Sequence, residues 1–291
     1  GTGVKQVSSL ASDSETGLLS AVPADAVALA EFDDLKTACR MLTDSASCFH
    51  SLAGNVGGGR MAAFLKQASD KGLGSLKSSG TVISLHYNGS LVPLLVLDAG
   101  RAGSSVSEDD RTFLDCASSC GLSAVSVDAR ELGADDIYIS RRRLLLVSCS
   151  DVFVKSSERH ISKGISVLDS DGFASCAGSV APGNRIFVSS SQIGKLFSSL
   201  MKKRTFAYAD FLKKYAEWTS FSVEENSDDK FILSGRSSYE DGTDDFINVF
   251  GKYNPAKSQV TEILPYYTAF FASLPISDLS ACTEALDAFW D

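Results

Sequence analysis

The sequence predicts an α+β fold of two related halves, each an antiparallel sheet with helices on one face, laid out as βαββαβ in the ferredoxin-like split order. Short apolar runs alternate with stretches of helical spacing, and an Asn-Gly pair joins two neighbouring runs. The order of elements over residues 17–162 also recurs over residues 163–291, which implies an internal duplication that packs as two units or one body. Composition agrees with this reading. A chain of 291 residues, 44% hydrophobic and 22% charged, is neither disordered nor collagen-like nor a coiled coil. It is long enough to bury a large core without metal or disulfide support.

Each element has a local cause. Residues 1–16 are Ser-rich and nearly devoid of large apolar side chains, so they read as a disordered tail or tether. Ala26–Phe32 is an apolar run entered through Val22-Pro23 and left through Asp33-Asp34, hence a strand followed at once by an Asp-capped helix through Leu35, Ala38, Cys39 and Leu42. After Gly57-Gly58-Gly59 a second helix covers Met61–Lys71 and stops at Gly72 and Gly74. Strands Thr81–Tyr87 and Leu91–Asp98 meet at Asn88-Gly89, a pair that tolerates the positive φ of a tight turn. Ser107-x-x-Asp110 is a capping box for a helix over 108–119, which Gly121 ends. A strand over Ser123–Val127 completes the first unit. A second hairpin, Ile137–Ser140 with Leu144–Cys149, is expected to turn at Arg141-Arg142, and a helix over 151–160 follows.

The second half uses the same grammar. Strand Arg185–Val188 leads to a helix through Ile193, Leu196, Phe197 and Leu200, with more helix to about Trp218. Strands Ser220–Glu225 and Lys230–Arg236 come next, then a Thr243-capped helix with Phe246, Ile247 and Phe250. Asn88 and Asn226 each fall between two strands, ahead of the acidic helix starts Glu108-Asp109-Asp110 and Thr243-Asp244-Asp245. Val22-Pro23 before Ala26–Ala30 recurs as Leu264-Pro265 before Thr268–Ala272. That last strand runs into Asp278 and a helix to Trp290, so either this helix closes the fold or the natural protein is longer.

With 27 Lys+Arg against 36 Asp+Glu the chain carries a net charge of −9, which argues against nucleic acid as the partner. The longest apolar stretches, Leu91–Ala99 and Thr268–Leu274, are far shorter than the ~20 residues that span a bilayer. No charged-then-apolar leader opens the chain. Seven cysteines form no Cys-x-x-Cys pair and are expected to be buried, unpaired thiols; Cys116 and Cys120 share one helix face.

Val22-Pro23-Ala24-Asp25-Ala26 before a strand, and Ser166-Val167-Leu168-Asp169-Ser170-Asp171-Gly172-Phe173 before a Pro182-Gly183-Asn184 turn, resemble the opening and middle elements of a bacterial family of exported proteins known only as a domain of unknown function. The resemblance spans most of the chain. It implies an envelope or lipoprotein setting, with an N-terminal lipid tether in the natural protein, and supplies no catalytic residue.

Candidate chemistry yields to plainer readings at each place. Gly54–Arg60 lacks the Gly-Lys-Ser/Thr of a phosphate loop and reads as an interhelical loop. Asp169-Ser170-Asp171-Gly172 opens like a calcium loop, but Val180 stands where the bidentate Glu belongs, so a short capped helix is expected. Glu240, Asp241, Asp244 and Asp245 form the densest carboxylate group, and the macrodipole at a helix start accounts for them. Arg141-Arg142-Arg143 and Lys202-Lys203-Arg204 read as solvated charge. His86 shares a strand face with Ser84 and Val82 and reads as a satisfied or exposed sheet residue rather than a ligand. Phe206, Tyr208, Phe211, Tyr215, Trp218 and Phe221 suggest a buried stripe. No Gly-x-Ser-x-Gly elbow or Ser-x-x-Lys motif marks a hydrolase. No catalytic, cofactor-binding or metal residue is therefore assigned. The expected function is a non-enzymatic binding or scaffolding module of a bacterial cell envelope, facing an envelope protein or polymer. The alternative is a hydrolase or metal-dependent enzyme whose site assembles in space near 240–245.

Overall fold

The computed structural model describes residues 17–45, 47, 49–73, 80–134, 136, 138–200, 212–226, 230–238, 245–251, 256–258, 260–265, 273 and 275–290. Its strands are β1 (Ala28–Phe32), β2 (Thr81–Tyr87), β3 (Leu91–Arg101), β4 (Ser123–Asp128), β5 (Arg142–Ser148), β6 (Arg185–Ser189), β7 (Trp218–Asn226) and β8 (Lys230–Ser237). They form one eight-stranded sheet in the order β4-β5-β3-β2-β1-β6-β7-β8, with every neighbouring pair antiparallel. The helices are α1 (Leu35–Thr43), α2 (His50–Asn55), α3 (Arg60–Asp70), α4 (Glu108–Ser119), α5 (Asp151–Lys163), α6 (Phe173–Gly178), α7 (Ile193–Leu200), α8 (Asn248–Gly251) and α9 (Leu279–Trp290). The architecture is α+β, as the sequence predicts.

Local signals hold closely. Asp34 caps α1, its Oδ1 accepting from the Thr37 N–H at 2.7 Å. Ser107 and Asp110 close the capping box of α4 from both sides. β2 and β3 form the hairpin, with Gly89 at φ +76°, a conformation other residues rarely adopt. Asp278 caps α9 through the Ala281 N–H.

The ferredoxin-like order does not hold. A split unit keeps its first two strands parallel with another strand between them, whereas β1 and β2 are antiparallel neighbours, Ala30 opposite Ile83. Helices also cover both faces of the sheet rather than one. The apolar runs Leu94–Leu97 of β3 and Leu144–Val147 of β5 explain why. In a pleated strand successive side chains point to opposite faces, so an unbroken apolar run needs cover on both. Leu94, Val96, Leu144 and Leu146 pack with α5 and α6; Leu95, Leu97, Leu145 and Val147 pack with α1, α3 and α4.

Two further expectations are corrected. Residues 139–141 form a 3-10 turn, and β5 pairs with β3 and β4, so no hairpin turns at Arg141-Arg142. Arg142 instead reaches the buried Asp98 at 3.5 Å and lies over the Tyr138 ring. Trp218 opens β7 rather than ending a helix and packs edge-on against Phe173. The tail over 1–16 and the strand over 268–272 lie outside the described residues.

The centre of the sheet joins the two halves. β1 pairs with β6, Glu31 opposite Arg185. Arg185, 2% exposed, donates from Nε to Glu31 Oε2 at 2.9 Å and from Nη2 to the same oxygen, and its Nη1 donates to the carbonyls of Ala177 and Val180. At the end of the seam Asn184 and Asp33 exchange two hydrogen bonds of 3.3 Å.

Candidate functional site

Two features stand out, one on each face of the sheet. On the face that carries α1 and α3, a cavity of about 180 Å³ opens between strands and helices. Its floor is Ala28 and Ala30 of β1, flanked by Ile83 and Leu85 of β2 and by Ile186 and Val188 of β6. Met41 of α1, Phe49, Met61 and Leu65 of α3 form the roof, with Leu196 of α7 at the far side. Every described residue that lines it is apolar. Alanine is uncommon in strands because it offers little packing surface. Two alanines in succession on one face of a central strand leave the helices nothing to rest on, and the space results. Ala30, Leu85, Ile186 and Val188 are half-buried, so solvent reaches the floor.

On the opposite face Ser84, His86 and Asp25 form a hydrogen-bonded line. His86 Nδ1 lies 3.0 Å from Asp25 Oδ1 and His86 Nε2 lies 2.9 Å from Ser84 Oγ. An ionised carboxylate only accepts, so Nδ1 donates to Asp25; in the neutral ring Nε2 then accepts from the Ser84 hydroxyl. The His86 hydrogen bond holds the Asp25 carboxyl below its usual value, against the upward pull of partial burial. The imidazole stacks on Phe153 of α5 with ring centres 5.0 Å apart.

The partners and distances are those of a nucleophile, base and orienting acid. The exposure runs the other way. Ser84 and His86 are 0% exposed, whereas the Asp25 side chain is 63% exposed. A hydrolytic serine must meet its substrate, and this one faces the core, 3.4 Å from the Leu94 carbonyl. The surrounding serines are committed as well: Ser148 Oγ donates to the Pro93 carbonyl and Ser157 Oγ to that of Ala21. Of the two expectations for His86, satisfied or exposed, the structure shows the first: the ring is buried and both nitrogens are hydrogen-bonded.

The other sequence candidates do not join either feature. Asp169 Oδ2 accepts from the Ser166 N–H at 2.7 Å, closing a capping box, and α6 begins after Gly172. Gly54–Arg60 is the end of α2, a 3-10 turn and the start of α3, and Arg60 donates to the carbonyls of Gly121 and Cys149. Of the acidic cluster only Asp245 is described; Glu240, Asp241 and Asp244 lie outside the described residues, as do Phe206, Tyr208, Phe211 and Lys202–Arg204. Among the described residues no group of His, Cys, Asp and Glu could hold a metal ion. Cys39, Cys116, Cys176 and Cys282 are buried thiols, and Cys120 and Cys149 are half-buried thiols. Burial pushes the Cys39 thiol up to about 12, with Asp34 adding to the effect, which leaves almost no reactive thiolate at neutral pH.

Sequence reasoning placed Ser84 and His86 on one face but missed Asp25, which lies in the Pro23–Ala26 turn and reaches His86 only through the pairing of β1 with β2. The cavity had a signal that was passed over: alternate alanines in a run otherwise read as a strand core. Compared with protein-family models, with curated proteins and with solved structures, the chain matches none.

Proposed function

We propose that the chain is a non-enzymatic binding or scaffolding module of a bacterial cell envelope. One observation carries the reading: the open concavity and the titratable line lie on opposite faces of the same strand. Ile83 and Leu85 face the cavity while Ser84 and His86 face the closed core. The described lining of the concavity carries no acid, base or nucleophile, and of the titratable line only Asp25 reaches solvent, while Ser84 and His86 are closed off. Apolar concavities with access to solvent are the usual form of small-molecule sites. The envelope setting follows from the resemblance of the Val22–Ala26 and Ser166–Phe173 segments to exported proteins, and with it an N-terminal lipid tether and an envelope protein or polymer as partner.

The mirrored strand order supports the inferred duplication. β3-β2-β1 is followed by β6-β7-β8, each set entering through a strand and helix (β1 and α1, β6 and α7) and ending in a hairpin. The two first strands pair antiparallel at the centre, as copies related by a two-fold axis would. The cavity then lies beside the seam between the copies.

The full-length protein incubated with a fluorophosphonate and with activated esters tests the non-enzymatic half. No adduct is expected on Ser84, and ester turnover should equal that of His86→Gln. A Ser84 adduct, or turnover that His86→Gln or Asp245→Asn abolishes, would establish the hydrolase or metal-dependent enzyme instead. Cross-linking in the source cell envelope tests the binding half, and the absence of any saturable partner or ligand there would refute it.

A further inference from the structure

We infer that the apolar cavity is a site for one compact, flat aromatic ring of a small molecule. This deepens the binding-module reading and rests on it. Strand register shapes the floor. Ala28 stands between Leu85 of β2 and Val188 of β6, and Ala30 stands between Ile83 and Ile186. Each alanine methyl therefore lies between two branched side chains that rise one or two carbons higher, and the result is a flat-bottomed recess. Phe32, buried on the same face of β1, closes one end. The two alanines span ~7 Å along the strand, and the rows on β2 and β6 stand ~10 Å apart, so the recess is about as wide as it is long. A ring suits that outline, whereas an extended chain needs a narrow trough.

The lining sets the polarity and the kind of ring. All described lining residues are apolar, so a hydrogen-bonding group in the buried part of a ligand would lose water and find no partner. Size agrees: a cavity of about 150 Å³ with such a lining takes up benzene, and this one is about 180 Å³. Opposite the alanines the roof carries Met41, Met61 and Phe49. Thioether sulfurs and a phenyl ring make contacts with an aromatic ring that a saturated ring of the same size cannot match. The roof thus favours the aromatic over its saturated counterpart.

The test is titration of the intact chain with toluene and, separately, with methylcyclohexane, followed through the methyl NMR signals of Met41 and Met61. Toluene should give saturable ring-current shifts of both signals, and methylcyclohexane should bind about fivefold or more weakly. Ala30→Leu fills the recess and should weaken toluene binding about tenfold or more while the urea midpoint holds or rises. Should Ala30→Leu fail to fold, Ala30→Val, a residue well suited to a strand, fills part of the same space and should weaken binding about threefold or more. The proposal falls if toluene leaves the methionine signals unmoved, if methylcyclohexane binds as tightly as toluene, or if filling variants that fold bind toluene unchanged. Such a failure leaves the envelope cross-linking and Ser84 labelling results as they stand, so the two readings fail separately.

Discussion

Asp25 stands at the surface end of a line of hydrogen bonds that runs through His86 to Ser84 in the core. Its carboxyl lies below the usual carboxylate value because His86 donates to it, and the nearby His160 adds a smaller effect of the same sign. A carboxyl that is more acidic in the folded protein than in the unfolded chain contributes stability above its unfolded value. That contribution is lost as pH falls through the folded value. Asp25→Asn should therefore lower the urea midpoint at about pH 7, and its deficit relative to wild type should shrink below about pH 4, where the wild-type carboxyl itself takes up a proton. Urea melts across that range are the measurement; a deficit that stays constant down to about pH 2 would show that the charge of Asp25 plays no part. The core contact of the imidazole with Phe153 is apolar and should survive in the variant.

Between elements, the join that matters most is β1 with β6, because all other strand neighbours are hairpin partners or lie within one half. Burial pushes the Glu31 carboxyl up, with the Arg185 charge working against it, so the pair is strained by desolvation even though its geometry is good. Buried pairs of this kind add little over an apolar pair, yet removing one partner leaves the other buried and uncompensated. Glu31→Ala should thus cost about 3–5 kcal/mol in chemical denaturation, while Glu31→Leu combined with Arg185→Met should cost clearly less than the sum of the single changes. Additive costs would mean that the two side chains act independently. Smaller terms behave as local chemistry dictates: Ser107→Ala opens the capping box of α4 and should cost about 1 kcal/mol.

At the scale of the whole molecule, one sheet runs through both halves, and its two faces are packed by different helices from each. Leu29 of β1, Phe187 of β6, Trp218 of β7 and Leu94 of β3 belong to a single buried cluster. A core shared in this way unfolds as a unit when no part of it can lose its neighbours without exposing the rest. Tryptophan fluorescence of a Trp290→Phe variant, which reports on Trp218 against Phe173, and far-UV circular dichroism, which reports on all elements, should therefore give coincident urea transitions. Separate midpoints would instead describe two independently folding halves.

Much of this architecture was legible along the chain. Caps at Asp34, Ser107 and Asp278, the Asn88-Gly89 turn and the apolar runs of β2, β3 and β5 are set by interactions between residues a few positions apart, and such interactions are written in the sequence itself. What the sequence by itself determined is therefore most of the elements, the stretch at 139–141 and the start of β7 at Trp218 excepted. Strand order, cover on both faces, the Asp25 partner of His86 and the hollow above Ala28 and Ala30 were decided by the tertiary structure. The reason is physical: each depends on which strand lies beside which. That choice follows from burying many weak apolar surfaces at once, and no short stretch of sequence records the sum.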